Sequence, residues 1–222
     1  MSVDLTAFWV SMKLAFATTI LLFAFGLPLA YWLSQSRFRG KFLVEALVAL
    51  PLVLPPTVLG FYVLAALGPR SPCGRLWESW TGARIPFTFL GILLGSLLFN
   101  LPFAVRPFTA ALTAVDRRLL EASWCLGVSR ISTFFRVMLP LAWPGILAGI
   151  VLTFAHTIGE FGVVYMVGAN IPGVTRTLST ALYDDVQALN YASAARTSLV
   201  LLFLAFLALC ATQRLERRAN LR

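Results

Sequence analysis

The chain is 222 residues long, 59% hydrophobic and 12% charged, with a mean hydropathy of +0.84. A water-soluble core cannot hide so much apolar surface, so this composition excludes an ordinary soluble globular protein and predicts that the bilayer is its solvent. Lysine and arginine outnumber aspartate and glutamate by 18 to 9. No basic stripe stands apart from the flanks of the apolar stretches, so this charge is assigned to membrane topology and not to nucleic-acid binding.

Five apolar stretches are long enough to cross a hydrocarbon core, which takes about 20 helical residues. They cover residues 6–33, 42–67, 85–108, 141–168 and 191–212. Each is expected to be a helix, because an open strand cannot satisfy its backbone in lipid. The predicted fold class is therefore all-α integral membrane, with five transmembrane helices in one domain over residues 6–212. The first stretch follows Asp4 and exceeds the length of a signal-peptide core, so we expect it to be retained.

The basic residues predict the orientation of these helices. One set of flanking segments contains twelve of them: Arg37, Arg39, Lys41, Arg106, Arg117, Arg118, Arg130, Arg136, Arg214, Arg217, Arg218 and Arg222. The opposite set contains four: Arg70, Arg75, Arg84 and Arg176. The N-terminus is thus predicted to be outside and the C-terminus inside, with the long interval 109–140 in the cytoplasm.

Prolines interrupt two of the predicted spans. The second contains LPLVLPP at residues 50–56, and the third contains NLP at residues 100–102. Proline frees backbone carbonyls inside a helix, either to kink it for packing or to shape a pathway that can move. The residues alone leave both interpretations open.

The interval 109–140 contains a motif of seven residues at defined separations. Its positions are Glu121, Ala122, Ser123, then Gly127, then Val137, Leu139 and Pro140. This pattern resembles the EAA motif of ABC importer permeases, in which EAA, three residues, G, nine residues, I, one residue and LP follow in order. The spacing agrees at every step, although Ser123 replaces the last alanine and Val137 replaces isoleucine.

The same interval predicts a helical hairpin on physical grounds. A short helix should begin near Asp116, Gly127 should allow a tight turn, and Ser129 should cap a second short helix that ends before Pro140. The second helix is too apolar for a free loop. It favours contact with a protein partner or with the spans, while an amphipathic helix lying on the headgroups is the alternative.

The resemblance implies that this hairpin is the coupling helix that fits a groove on an ATPase. The residues assigned to that role are Glu121, Ala122, Ser123, Gly127, Leu139 and Pro140. The chain has no P-loop, since its single Gly-Lys pair, at 40–41, has Gln35 in place of the first glycine and Phe42 in place of the hydroxyl residue. ATP is therefore expected to bind another chain, and this chain is predicted not to be an enzyme.

His156 and Glu160 are the ionisable pair within the fourth stretch. Their spacing of four places them on one helix face within reach of each other. Three interpretations stay open: a structural pair that locks the helix, a gate or pathway element, and a proton relay or metal site. One histidine and one glutamate are too few for a convincing metal site, and Cys73, Cys125 and Cys210 are predicted to lie far apart, so no metal or cofactor is expected.

Glu160 stands in the sequence GEFG at residues 159–162, which resembles the signature of the oxyanion branch of ABC importer permeases. NIPG at 170–173, TRT at 175–177 and the proline-rich 50–56 segment add to this likeness. Together they resemble the molybdate ABC transporter permease family over nearly the whole chain. The resemblance assigns His156, Glu160, Phe161 and Gly162 to a gate or pathway, although arginine would be expected at position 156.

The family resemblance also implies an assembly in the cytoplasmic membrane. Two permease copies, two ATPase subunits and an external solute-binding protein would cooperate to import molybdate. A homodimer is also favoured physically, because five helices are too few to enclose a hydrated path for a tetrahedral anion. Sulfate or tungstate import remains the alternative, and a proton-coupled secondary transporter that uses the His156–Glu160 pair is the rival from another class.

Overall fold

The computed structural model describes residues 4–220, with side chains described for residues 4–215. Within that part of the chain the fold is entirely helical, which confirms the predicted fold class. The helices are α1 Leu5–Gln35, α2 Lys41–Val53, α3 Pro56–Leu67, α4 Pro72–Thr81, α5 Phe89–Thr113, α6 Arg117–Cys125, α7 Arg130–Thr133, α8 Leu139–Gly159, α9 Gly162–Gly168, α10 Leu178–Gln187 and α11 Tyr191–Asn220. A π turn, Phe134–Met138, joins α7 to α8. The side chains of Arg217 and Arg218, and all of Arg222, lie outside the described residues.

Four helices are long and apolar enough to cross a membrane: Leu5–Gln35, Phe89–Thr113, Arg130–Gly159 and Tyr191–Leu215. The pair α2 and α3 passes the same test only if it is counted as one bent span. The described residues therefore provide four to five candidate spans. Their depth and orientation in the bilayer stay predictions.

The second predicted span, 42–67, is broken. Its two helices meet at an angle of 112°. Leu54 is extended, with φ −71° and ψ 136°, because a residue that precedes proline disfavours the helical region. Pro56 then starts α3, where its missing N–H costs no helical hydrogen bond.

The fourth predicted span, 141–168, is also not one helix. Helix α8 ends at Gly159, and Glu160 is extended with φ −66° and ψ 126° before the short α9 begins. The third span begins at Phe89, later than the expected 85, because Thr88 caps it, and it continues to Thr113.

The expectation that the second hairpin helix ends before Pro140 is wrong. Residues 130–159 form one continuous helical rod that includes Pro140 near the start of α8. The π turn accommodates the proline, with the Leu139 N–H bonded five residues back to the Phe134 carbonyl. Because a π turn shifts the backbone hydrogen bonds by one residue, the helix continues past Pro140, which has no N–H to donate.

Helices α1, α5 and α8 form the packed centre of the molecule. The main cluster of buried side chains includes Leu33, Phe108, Leu112 and Ile146 from these three helices. Helix α8 approaches α5 closely at Gly149, where an added Cβ would lie 2.9 Å from Phe108 Cε1. Helix α11 lies against α8 and exposes Leu199, Leu202, Phe203 and Phe206. Such an apolar outer surface is suited to lipid.

Candidate functional site

Two helix breaks meet beside one cavity of about 570 Å³. The start of α3 contributes Pro56 and Thr57, and the end of α8 with its break contributes His156, Glu160 and Gly162. The two broken segments touch at a glycine, since a Cβ added to Gly162 would lie 2.7 Å from Pro56 Cβ. The sequence motifs that flank both breaks thus come together in space.

His156 and Glu160 are joined through Asn100 of α5. The Asn100 Nδ2 donates to Glu160 Oε2 at 2.8 Å and to the Ser96 carbonyl at 2.9 Å. The Asn100 Oδ1 lies 2.8 Å from His156 Nδ1. Both amide hydrogens donate to other groups, so the oxygen is the Asn100 atom that faces His156. An amide oxygen can only accept, and His156 Nδ1 therefore carries the proton in this hydrogen bond.

The direct pairing predicted from the spacing of four is therefore replaced by a bridge. The i, i+4 relation needs a continuous helix, and α8 ends at Gly159, so Glu160 turns away from the helix face that carries His156. Asn100 was visible in the sequence only as part of the proline-containing NLP segment. Its one available signal was a polar residue spaced four from Ser96 within an apolar span.

Glu160 is 3% exposed and connects three helices. Its side chain accepts from α5, and its main-chain carbonyl accepts from Ser179 Oγ of α10 at 2.6 Å. Its second carboxyl oxygen, Oε1, is buried, and the buried Ser96 hydroxyl lies beside this side chain. Ionisable side chains buried within a membrane span are costly and usually have a functional role.

Aromatic rings pack against His156, at the end of this polar bridge opposite Glu160. The His156 ring stacks on Phe103 with centroids 3.7 Å apart and lies 5.3 Å from the Phe99 centroid. Beyond the break, the Phe161 ring contacts Tyr165 and Tyr183 at 5.2 and 4.9 Å. The four residues predicted as a gate therefore lie around one junction, with rings on both sides of a buried polar bridge.

The loop after α9 contributes Arg176 to a charged cluster with Asp4 and Asp184 on the predicted outer side of the membrane. Arg176 lies 3.4 Å from Asp184 of α10 and 3.7 Å from Asp4. Asp4 also caps α1, accepting from the backbone of Thr6 and Ala7. Through Arg176, the TRT segment found by resemblance thus connects the start of α1 to α10.

The predicted hairpin is present between α6 and α7. Asp116 and Ser129 cap the two helices with their side chains, and Gly127 turns the chain with φ +79°. Glu121 is half-exposed and forms an ion pair with Arg117 at 2.8 Å. Leu139 and Pro140 lie on the continuous rod into α8, so the motif spans both the hairpin and the start of that helix.

Within the residues whose side chains are described, no group of three or more His, Cys, Asp or Glu residues could hold a metal ion.

The helical spans and the hairpin define an integral membrane subunit. The fold is similar to a chain of the MetNI methionine ABC transporter in an inward-facing conformation, with a TM-score of 0.77 and 20% identity over 99% of both chains. Residues 16–221 match the binding-protein-dependent transport system inner membrane component family, and the chain belongs to that family. It is thus a multi-pass transport subunit of the cytoplasmic membrane.

Three relatives of this chain are transport permeases whose names state a substrate. The molybdenum transport system permease protein of Azotobacter vinelandii is 47% identical over 86% of this chain and 84% of its own length. The corresponding Escherichia coli K12 protein is 36% identical over 93% of this chain and 91% of its own length. A probable sulfate transport system permease protein of Chlorella vulgaris is 30% identical over 93% of this chain and 77% of its own length.

Proposed function

We propose that this chain is the permease subunit of an ABC importer that moves molybdate into the cell. The observation that carries the proposal is the 47% identity to the molybdenum permease of Azotobacter vinelandii over most of both chains. Sulfate is the second candidate, supported by the sulfate permease at 30% identity. Both are tetrahedral dianions, so a subunit that supplies the path need not distinguish them once a binding protein has selected one.

ATP hydrolysis is assigned to a separate chain in this proposal. The sequence lacks the glycine-rich phosphate loop that nucleotide binding of this kind needs. Two ATPase subunits, a second copy of this permease and an external solute-binding protein complete the transporter. The exposed apolar residues of the bent α2–α3 pair, Val53 and Phe61 among them, leave surface that a second copy could cover around a shared axis.

The hairpin is proposed as the contact with the ATPase. The N-terminus then lies outside, the transmembrane domain covers residues 6–212, and the interval 109–140 is cytoplasmic. Three features support this role: the motif spacing, the exposed Glu121, and Leu126 at the hairpin tip with 84% of its surface exposed. Ala122, Ser123, Gly127, Leu139 and Pro140 shape the proposed docking surface or connect it to α8.

The junction of His156, Glu160, Phe161 and Gly162 is proposed as a gate in the translocation path. A helix that ends inside a span can change its angle at the break, as the discontinuous helices of other transporters do. The Asn100 bridge gives this gate a defined closed arrangement. ATP-driven movement of the hairpin would reach it along the rod 130–159 and alternate access between the two sides.

Reconstitution tests the function. The permease, its cognate ATPase and its cognate binding protein are placed in liposomes, and ATPase activity is titrated with molybdate, tungstate and sulfate. We expect molybdate to stimulate at the lowest concentration. Stimulation by sulfate alone would refute the substrate, and uptake by the permease without any ATPase would instead favour a proton-coupled secondary transporter.

A further inference from the structure

A pair of hydroxyl groups fastens the two arms of the hairpin together. Ser123 Oγ of α6 lies 2.9 Å from Thr133 Oγ1 at the end of α7, ten residues further along the chain. Thr133 is 2% exposed and Ser123 is partly buried. A hydrogen bond in such a place is sheltered from competition with water, which favours a defined geometry.

The chain between these hydroxyls is a closed turn. The Val128 N–H donates to the Ser123 carbonyl at 3.2 Å, and Gly127 carries the left-handed conformation that reverses the chain. The Arg130 guanidinium lies 5.4 Å from the Trp124 ring centroid, a cation–π contact that joins the same two arms. The Ser123–Thr133 bond joins the two arms about one helical turn from the chain reversal.

Helix α7 continues without interruption into α8. The rod 130–159 therefore connects Thr133 directly to His156 and to the break at Glu160. Helix α6 has no such continuity, because residues 126–129 turn between it and the rod. Movement of α6 reaches the rod through the backbone turn 126–129 and through the contacts between the two arms.

We propose that Ser123 and Thr133 are positioning residues that couple movement of α6 to movement of α8. This inference rests on the proposed contact between the hairpin and an ATPase. With the hydroxyl pair intact, displacement of α6 by the ATPase moves the rod and opens the gate. Without it, α6 is held to the rod less rigidly, so more ATP is hydrolysed for each anion imported.

Ser123 departs from the EAA pattern, which has alanine at this position. Alanine cannot form a directional bond to Thr133, and it is also a good helix former. Replacing Ser123 by alanine should therefore leave the hairpin folded and remove only the hydroxyl contact. That makes the inference testable without disrupting assembly.

The test measures ATP hydrolysed per molybdate imported by the complete complex in liposomes. Ser123→Ala and Thr133→Val should each raise this ratio at least about twofold, the smallest effect expected from losing one net hydrogen bond. The double variant should raise it no further than the larger single change, because the two groups act as one unit. Thr133→Ser, which keeps the hydroxyl, should retain the wild-type ratio.

Ser132→Ala is the matched control, since that hydroxyl is on the same helix turn and the same atom type is removed. A wild-type ratio in both Ser123→Ala and Thr133→Val would overturn the inference, as would an equal rise in Ser132→Ala. Failure of wild-type complex to import molybdate would reject the proposed function instead. Hydrogen exchange provides an independent measurement. Backbone amides 126–133 should exchange faster in Ser123→Ala, even if the variant fails to bind the ATPase. Unchanged exchange would also overturn the inference.

Discussion

Asn100 donates a hydrogen bond of 2.8 Å to Glu160 across 60 positions of sequence, and this bond attaches a broken helix to an unbroken one. The same amide accepts from His156 on the other side of the break. One side chain therefore fixes both the last turn of α8 and the first residue beyond it.

Replacing Asn100 by leucine should destabilise the subunit and stop uptake. The change leaves the buried Glu160 carboxylate and the His156 ring without their shared partner, at a cost of about 1–3 kcal/mol. The melting temperature and the uptake rate of the complex measure the two effects. Thr113→Ala is the control on the same helix, because its hydroxyl bonds only to the carbonyl of Thr109 one turn away; equal losses in both variants would argue against a special role for Asn100.

Replacing Glu160 by glutamine should change transport more than membrane insertion. The amide oxygen of glutamine can still accept from Asn100, while the ionisable carboxyl group is removed. We expect normal insertion and thermal stability with altered uptake, measured in membranes and in liposomes. If both uptake and ATPase stimulation stayed at wild-type levels, Glu160 would have a structural role only.

Replacing Gly162 by alanine should separate the two broken helices. The added Cβ would lie 2.7 Å from Pro56 Cβ, and relieving that overlap should cost about 1–3 kcal/mol. Gly159→Ala is a close control, since no atom lies within 4 Å of its added Cβ. Uptake and melting temperature should fall in the first variant and hold in the second. A loss that is the same at both positions would instead indicate general helix effects.

Replacing Gly127 by valine should uncouple the hairpin from the ATPase. The residue has φ +79°, where a β-branched side chain is strained, so the turn between α6 and α7 should open. Gly82→Val is the matched control, because Gly82 has φ +69° at the end of α4, on the predicted outer side.

Glu121→Lys should act like the Gly127 variant by reversing the charge of the docking surface. Co-purification with the ATPase measures the contact, and normal binding by both hairpin variants would rule out the hairpin as the docking element.

Reporter fusions test the predicted orientation. Fusions after Gly40 and Ser129 should give cytoplasmic signals, and a fusion after Arg75 should give an external one. The physical reason is the excess of arginine and lysine flanking the first two positions. An external signal at Ser129 would contradict both the orientation and the proposed contact between hairpin and ATPase.

Local chemistry was sufficient to predict where the first hairpin helix begins, where the chain turns and which residue caps the second hairpin helix. Asp116, Gly127 and Ser129 were assigned their roles from residue type and spacing alone, and the structure places all three as expected. Capping and a left-handed turn depend on neighbours within about four residues, so the sequence contains all the information they need. The all-helical fold followed similarly from the length and apolarity of the spans.

The gate junction was decided by tertiary structure. The spacing of His156 and Glu160 predicted direct contact because it assumed an unbroken helix, whereas α8 ends at Gly159 and Asn100 joins the two residues from another helix. The rod through Pro140 was missed for a related reason, since the π turn adapts the helix to a proline that usually marks a boundary. Residues 56 and 60 positions from Asn100 are brought to it only by packing of α5 against α8, and no local pattern encodes a contact at that separation.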